Sequence, residues 1–166
     1  MTITLNGRMD EQVHAVQATS LVALTGAGGD AAYVSLKNYR RVTVIIDILN
    51  GATVTGTAVT LKQATAVAGT SEKALAFTRM LANVDVGAGN APANYTETAV
   101  TSNTFTSNTT NSKRLRYIIE VDSESLDVAN GFDCFRVDAD SAVNSSGLVS
   151  YILWGARYSG VNPMVD

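Results

Sequence analysis

The chain has 166 residues, enough for one domain with a real core, of which 46% are apolar and only 16% charged. That mix excludes a disordered tail, which needs few apolar residues and much charge, and a coiled coil, which needs Glu, Lys and Leu at heptad spacing. A net charge of −3 and a pI near 5.1 argue against general nucleic-acid binding.

The charge is spread unevenly. Residues 1–119 hold ten Lys/Arg against seven Asp/Glu, a balance of +3, and residues 120–166 hold two against eight, a balance of −6. Such asymmetry lets neighbouring copies attract head to tail. The start Met1, Thr2, Ile3, Thr4, Leu5, Asn6, Gly7 lacks the basic opening and apolar core of a secretory signal. No apolar run approaches the roughly 18 residues of a membrane span. The expectation is synthesis in a cytoplasm with no membrane partner.

In chain order, residues 1–30 read as an N-terminal arm and flexible segment, and 31–166 as a β-sandwich domain. Residues 10–19 (DEQVHAVQAT) place Val13, Val16 and Gln17 near one helical stripe, with Asp10 as a cap. Residues 26–30 (GAGGD) form a flexible loop that lacks the Gly-Lys-Ser/Thr ending of a phosphate loop. Residues 33–36 are a weak strand. The run 42–49 (VTVIIDIL) is a strand ending at Asn50-Gly51, a pair that favours a tight hairpin, with 52–63 as its partner and Gly56 as a bulge or second turn.

Residues 71–75 suggest one helical turn. Weak strands follow at 74–78, 95–100 and 104–106, with loops at 87–93 and 107–112. In residues 114–121 (RLRYIIEV), Leu115, Tyr117 and Ile119 face one side and Arg114, Arg116, Ile118 and Glu120 the other. Residues 123–128 suggest a second helical turn. Residues 132–139 alternate around Cys134. Residues 148–158 form a long aromatic strand in which Trp154, flanked by Ile152, reads as a core residue. Many short strands separated by turn signals, with one or two short helices, point to an all-β single domain: a β-sandwich or jelly roll with an N-terminal arm.

No catalytic constellation stands out. The single histidine, His14, cannot make a metal site by itself, and the single cysteine, Cys134, permits no internal disulfide and reads as a small buried hydrophobe. Glu120, Asp122, Glu124, Asp127, Asp133, Asp138 and Asp140 form an acidic cluster. They do not follow the EF-hand order, and a solvated rim is the simpler reading. Two basic clusters, Lys37, Arg40 and Arg41, and Lys113, Arg114 and Arg116, open predicted strands. They suit either contact with an acidic surface or a gatekeeper role beside sticky strands. The alternating start Met1, Thr2, Ile3, Thr4 and Leu5 can add a strand to a neighbour's sheet edge.

Residues 34–43 (VSLKNYRRVT) followed by 59–64 (VTLKQA) resemble small virion structural proteins of tailed bacteriophages. So do 73–77 (KALAF), 119–132 (IEVDSESLDVANGF) and 151–158 (YILWGARY). The resemblance implies a non-enzymatic part of the particle without cofactors: a capsid decoration, or cement, protein on the outer capsid surface, made in the bacterial host cytoplasm. It also implies the major capsid protein and copies of this chain as partners, the latter as a trimer. The partner-binding expectation falls on Met1 to Leu5 and on the two basic clusters. A tail or head–tail connector component is the alternative, and a carbohydrate-binding β-sandwich using Trp154 and Tyr158 is the second.

Overall fold

The computed structural model describes residues 13–24, 29–86, 94–140 and 144–156. In chain order the strands are β1 (Val13–Gln17), β2 (Val22–Ala23), β3 (Val34–Ser35), β4 (Arg41–Asn50), β5 (Ala58–Ala64) and β6 (Lys73–Ala74). They continue with β7 (Arg79–Asn83), β8 (Thr96–Ala99), β9 (Thr104–Thr106), β10 (Arg114–Asp122), β11 (Cys134–Asp140) and β12 (Ser145–Trp154). All pairings are antiparallel. One sheet runs β1-β12-β4-β10-β7-β8, with β2 beside β12, and the other runs β3-β11-β5-β6, with β9 beside β5. The fold is the expected all-β, two-sheet sandwich.

The three long strands of the larger sheet explain its core. Side chains alternate between faces along a strand. In β4 this buries Val42, Val44, Ile46 and Ile48; in β10 Leu115, Tyr117, Ile119 and Val121; in β12 Val149, Tyr151 and Leu153. The register places Val44 between Ile119 and Tyr151, and Ile46 between Tyr117 and Val149. The smaller sheet answers with Val59, Leu61, Phe135, Val137 and Ala139. Two tyrosines bridge the layers. Tyr151 packs on Phe135 with ring centroids 5.6 Å apart, and its hydroxyl accepts a hydrogen bond from the Val137 amide at 3.0 Å. Tyr117 packs on Phe105 at 5.0 Å and accepts from the Asn108 amide at 2.7 Å. Each polar tip thus satisfies a backbone donor that the sheets leave over.

Several expectations change. Residues 13–17 are a strand, not part of a helix: their spacing of apolar residues fits either form, and β12 offers them a free edge along Val13–Trp154 to Gln17–Ser150. The larger sheet therefore takes in residues on the N-terminal side of position 31. Asn50-Gly51 is not a hairpin turn. Both edges of β4 are occupied, by β10 and β12, so the chain leaves β4 for the other sheet. Asn50 is buried and acts as a bracket: its amide donates to the carbonyls of Asn108 and Thr110 at 2.9 Å each, and its oxygen accepts from the Ser145 hydroxyl at 3.1 Å. Trp154 faces outward, because Val149, Tyr151 and Leu153 own the core parity of β12.

The expected turns near 123–128 are two single-turn 3-10 helices, Ser123–Ser125 and Val128–Asn130, the second closed by Gly131 at φ 80°. Residues 71–75 hold no helix; they lead into β6. The arm Met1 to Leu5, the 26–28 part of the glycine loop and Tyr158 lie outside the described residues.

Candidate interaction surfaces

The two outer faces of the sandwich differ in kind. On the smaller sheet, Arg136 and Asp138 project from β11 and Lys62 from β5. The segments 29–33 and 66–72 fold over them. Gly29 fits here because a Cβ would lie 1.9 Å from the Ala139 carbonyl oxygen, and the Tyr33 ring rests against Gly69. Beneath this cover Asp138 is 3% exposed. Its carboxylate meets Lys62 Nζ at 2.7 Å, Arg136 Nε at 2.8 Å and Arg136 Nη2 at 3.0 Å. Glu72 takes Lys62 at 2.7 Å, Arg136 at 3.1 Å and the Tyr33 hydroxyl at 2.5 Å. The guanidinium of Arg136 also lies 5.0 Å from the Tyr33 ring centre and 3.9 Å from Asp30.

Burial raises the Asp138 carboxyl above its ordinary range despite these cations. Burial, then the neighbouring Asp140, raises Asp30. The hydrogen bonds from Lys62 and Tyr33 lower Glu72. Carboxylates outnumber cations here, yet among the described residues no group of three His, Cys, Asp or Glu is placed to hold a metal ion.

The outer face of the larger sheet is open. The outward side chains of β4, β10 and β12 are half-buried or exposed. Register aligns Ser150, Ile45, Ile118 and Leu81 in one row across β12, β4, β10 and β7, with Ile152 and Leu148 beside it. Ion pairs in the plane frame this row: Arg116 with Asp47 at 2.6 Å, Arg41 with Asp122 at 2.8 Å and with Glu120 at 3.7 Å, and Arg79 with Glu97 at 3.5 Å. A depression of about 120 Å³ lies at Arg79, Met80, Leu81, Ile118 and Glu120. Trp154 lies at one end, its indole N–H donating to the Thr43 hydroxyl at 2.9 Å.

The structure separates the two basic clusters. Arg41 sits opposite Asp122 at one end of the β4–β10 pair and Arg114 opposite Leu49 at the other, about 26 Å away at the rise of an extended chain. Lys37 and Arg40 are exposed near the first end. Lys113 pairs with Asp85 at 2.5 Å. The acidic residues are also dispersed: Glu120 and Asp122 join the open face, Asp127 pairs with Lys73, and Asp138 and Asp140 lie on the covered face.

The remaining candidates are His14 and Cys134. His14 Nδ1 lies 3.1 Å from the Tyr39 hydroxyl. Cys134 is buried, and burial with the adjacent Asp133 pushes its thiol up to about 12, which suppresses the thiolate a nucleophile needs. The Arg136 network escapes sequence reading because its members come from positions 30, 33, 62, 72, 136 and 138. The one available signal is the charged alternation Arg136-Val137-Asp138-Ala139-Asp140 within β11.

No family model matches the chain, and no curated protein does. Among solved structures the chain is similar to the SPBc2 prophage-derived protein YomS, with a TM-score of 0.48 and 10% identity over 93% of this chain and 99% of that one.

Proposed function

We propose that this chain is a structural protein of a tailed-bacteriophage virion, a decoration protein that docks on the outer capsid shell and braces contacts between major capsid protein subunits. The observation that carries the docking half of this reading is the open outer face of the larger sheet. It is broad, it has an apolar row at its middle, and Arg41, Arg79 and Arg116 are already paired within the plane. A surface of that form matches a flat protein partner, because apolar area can be buried there without stranding a charge. The phage half is supported by the sequence texture of residues 33–158, whose described part lies mainly in the strands and connections of the sandwich body.

The chemistry of both faces favours attachment over turnover. Burial holds the Cys134 thiol in its protonated form at neutral pH. The dense ionic network lies under the chain's own segments. Decoration also explains why modest single contacts suffice: a protein touching several shell subunits gains apparent affinity from multivalency.

Mixing the purified protein with expanded, undecorated shells and sedimenting them tests the reading. Saturable co-sedimentation is expected, with density for this chain on the shell exterior in a map of the particles. Protein that leaves shells bare and is recovered with tails or connectors would replace the decoration reading with the connector one.

A further inference from the structure

The β8 edge of the larger sheet is unlike every other strand. All four of its side chains, Thr96, Glu97, Thr98 and Ala99, are exposed, and among the described residues it pairs only with β7. The opposite edge, β1, buries Val13 and packs Val16 on the core. The Val100 amide donates to the Thr78 carbonyl at 2.9 Å, and the ladder continues through Met80–Thr98 and Ala82–Thr96. Antiparallel pairing alternates bonded and non-bonded positions. The backbone N–H and C=O groups of Glu97 and Ala99 therefore point away from β7, toward the free edge. The strand holds no Lys or Pro, the residues that usually blunt such an edge.

We propose that β8 pairs with β8 of a second copy of this chain about a twofold axis, joining two larger sheets edge to edge. A twofold that keeps the open faces on one side must match residues of the same parity. Placing Glu97 opposite Glu97 sets like charges against each other, which is unfavourable. Placing Thr98 on the axis avoids this. Glu97 then faces Ala99 of the other copy, and the two outward-pointing residues exchange backbone hydrogen bonds.

Charge selects the same register. Ala99 lies beside Arg79 in the sheet. Each Arg79, which holds Glu97 of its own chain at 3.5 Å, also lies across a small alanine from Glu97 of the other copy, so the two Arg79–Glu97 pairs meet as one network of alternating charge. The whole face is self-compatible, since Arg41, Arg79, Arg114 and Arg116 are balanced by Asp47, Glu97, Glu120 and Asp122. A second copy fits where a strongly acidic or basic partner does not. The contact is isologous, and it does not depend on shell binding.

Cysteine cross-linking tests the register. On the axis, Thr98 faces itself across a non-bonded pair with Cα atoms about 4.5 Å apart, within disulfide range. Glu97 lies about 8 Å from its own copy, beyond that range. Cys134 is buried and does not compete. Under mild oxidation, Thr98→Cys should form a disulfide-linked dimer at least tenfold faster than Glu97→Cys. Wild type should show a reversible monomer–dimer equilibrium in sedimentation. Equal cross-linking of the two variants, a wild type that stays monomeric at millimolar concentration, or a closed trimer overturns the proposal. Because the experiment uses purified protein alone, its failure leaves the shell-docking reading standing, and failure of shell docking leaves this one standing.

Discussion

The outer faces of the two sheets show two uses of charge on a β-sandwich. On the smaller sheet, Arg136 and Lys62 sit among Asp30, Glu72 and Asp138 beneath segments 29–33 and 66–72, and Asp138 is almost fully enclosed. On the larger sheet, Arg41, Arg79 and Arg116 pair with carboxylates that stay exposed or half-buried around an apolar row. Charges under the first face must be paired because they are removed from water. Those on the second need no pairing for stability, since exposed pairs contribute little. Pairing them in the plane instead offsets charge across the open face. The covered face is a stability device, and the open face is available for contact.

Substitutions sharpen that contrast, beginning with the largest effect. Arg136→Met should cost about 3 kcal/mol in urea unfolding, because it leaves the buried Asp138 carboxylate with Lys62 as its one remaining cation and takes Arg136 from Glu72 as well. Tyr151→Phe should cost about 1–3 kcal/mol, since the Val137 amide then lies buried without its acceptor. Asp47→Asn on the open face should change stability by no more than about 1 kcal/mol, although it breaks the closest ion pair there.

The smallest effect carries a sign. Asp30 is raised in the fold by burial and by Asp140, so its favourable contribution is complete below its ordinary value of 3.8 and is lost as pH rises through the folded value. Asp30→Asn should therefore raise Tm at neutral pH, by no more than about 2 °C, and the gain should vanish in acid. Glu72 runs the other way. Its carboxylate is lowered by Lys62 and Tyr33, so its contribution is present above 4.5 and lost as pH falls. Thermal melts of wild type, Asp30→Asn and Glu72→Gln across pH 3–7 separate the two slopes.

The open face is more legible in the sequence than the covered one. Strict alternation in residues 114–121 is enough to put Arg116 and Ile118 on the same side, and β-branched density marks β4. β7 leaves no such trace, because Arg79-Met80-Leu81-Ala82-Asn83 is short and buries only Met80 and Asn83. β1 reads as helix because Val13 and Val16 satisfy helical spacing as well as the edge of a sheet. Asn50-Gly51 misleads because a local turn preference yields when both neighbouring positions in the sheet are taken. The Arg136 network is assembled from distant positions, and no local spacing encodes it. The paired state of the basic clusters is hidden for the same reason: Asp47 and Asp122 reach Arg116 and Arg41 across 69 and 81 residues.

Co-sedimentation of Ile118→Asp with undecorated shells, beside wild type, most directly tests whether the open face docks. Ile118 lies at the middle of the apolar row with its side chain half-buried, so the variant should keep the wild-type circular-dichroism spectrum. At least a tenfold loss of shell binding is expected from this folded variant. Binding equal to wild type would show that the open face is not the surface that docks.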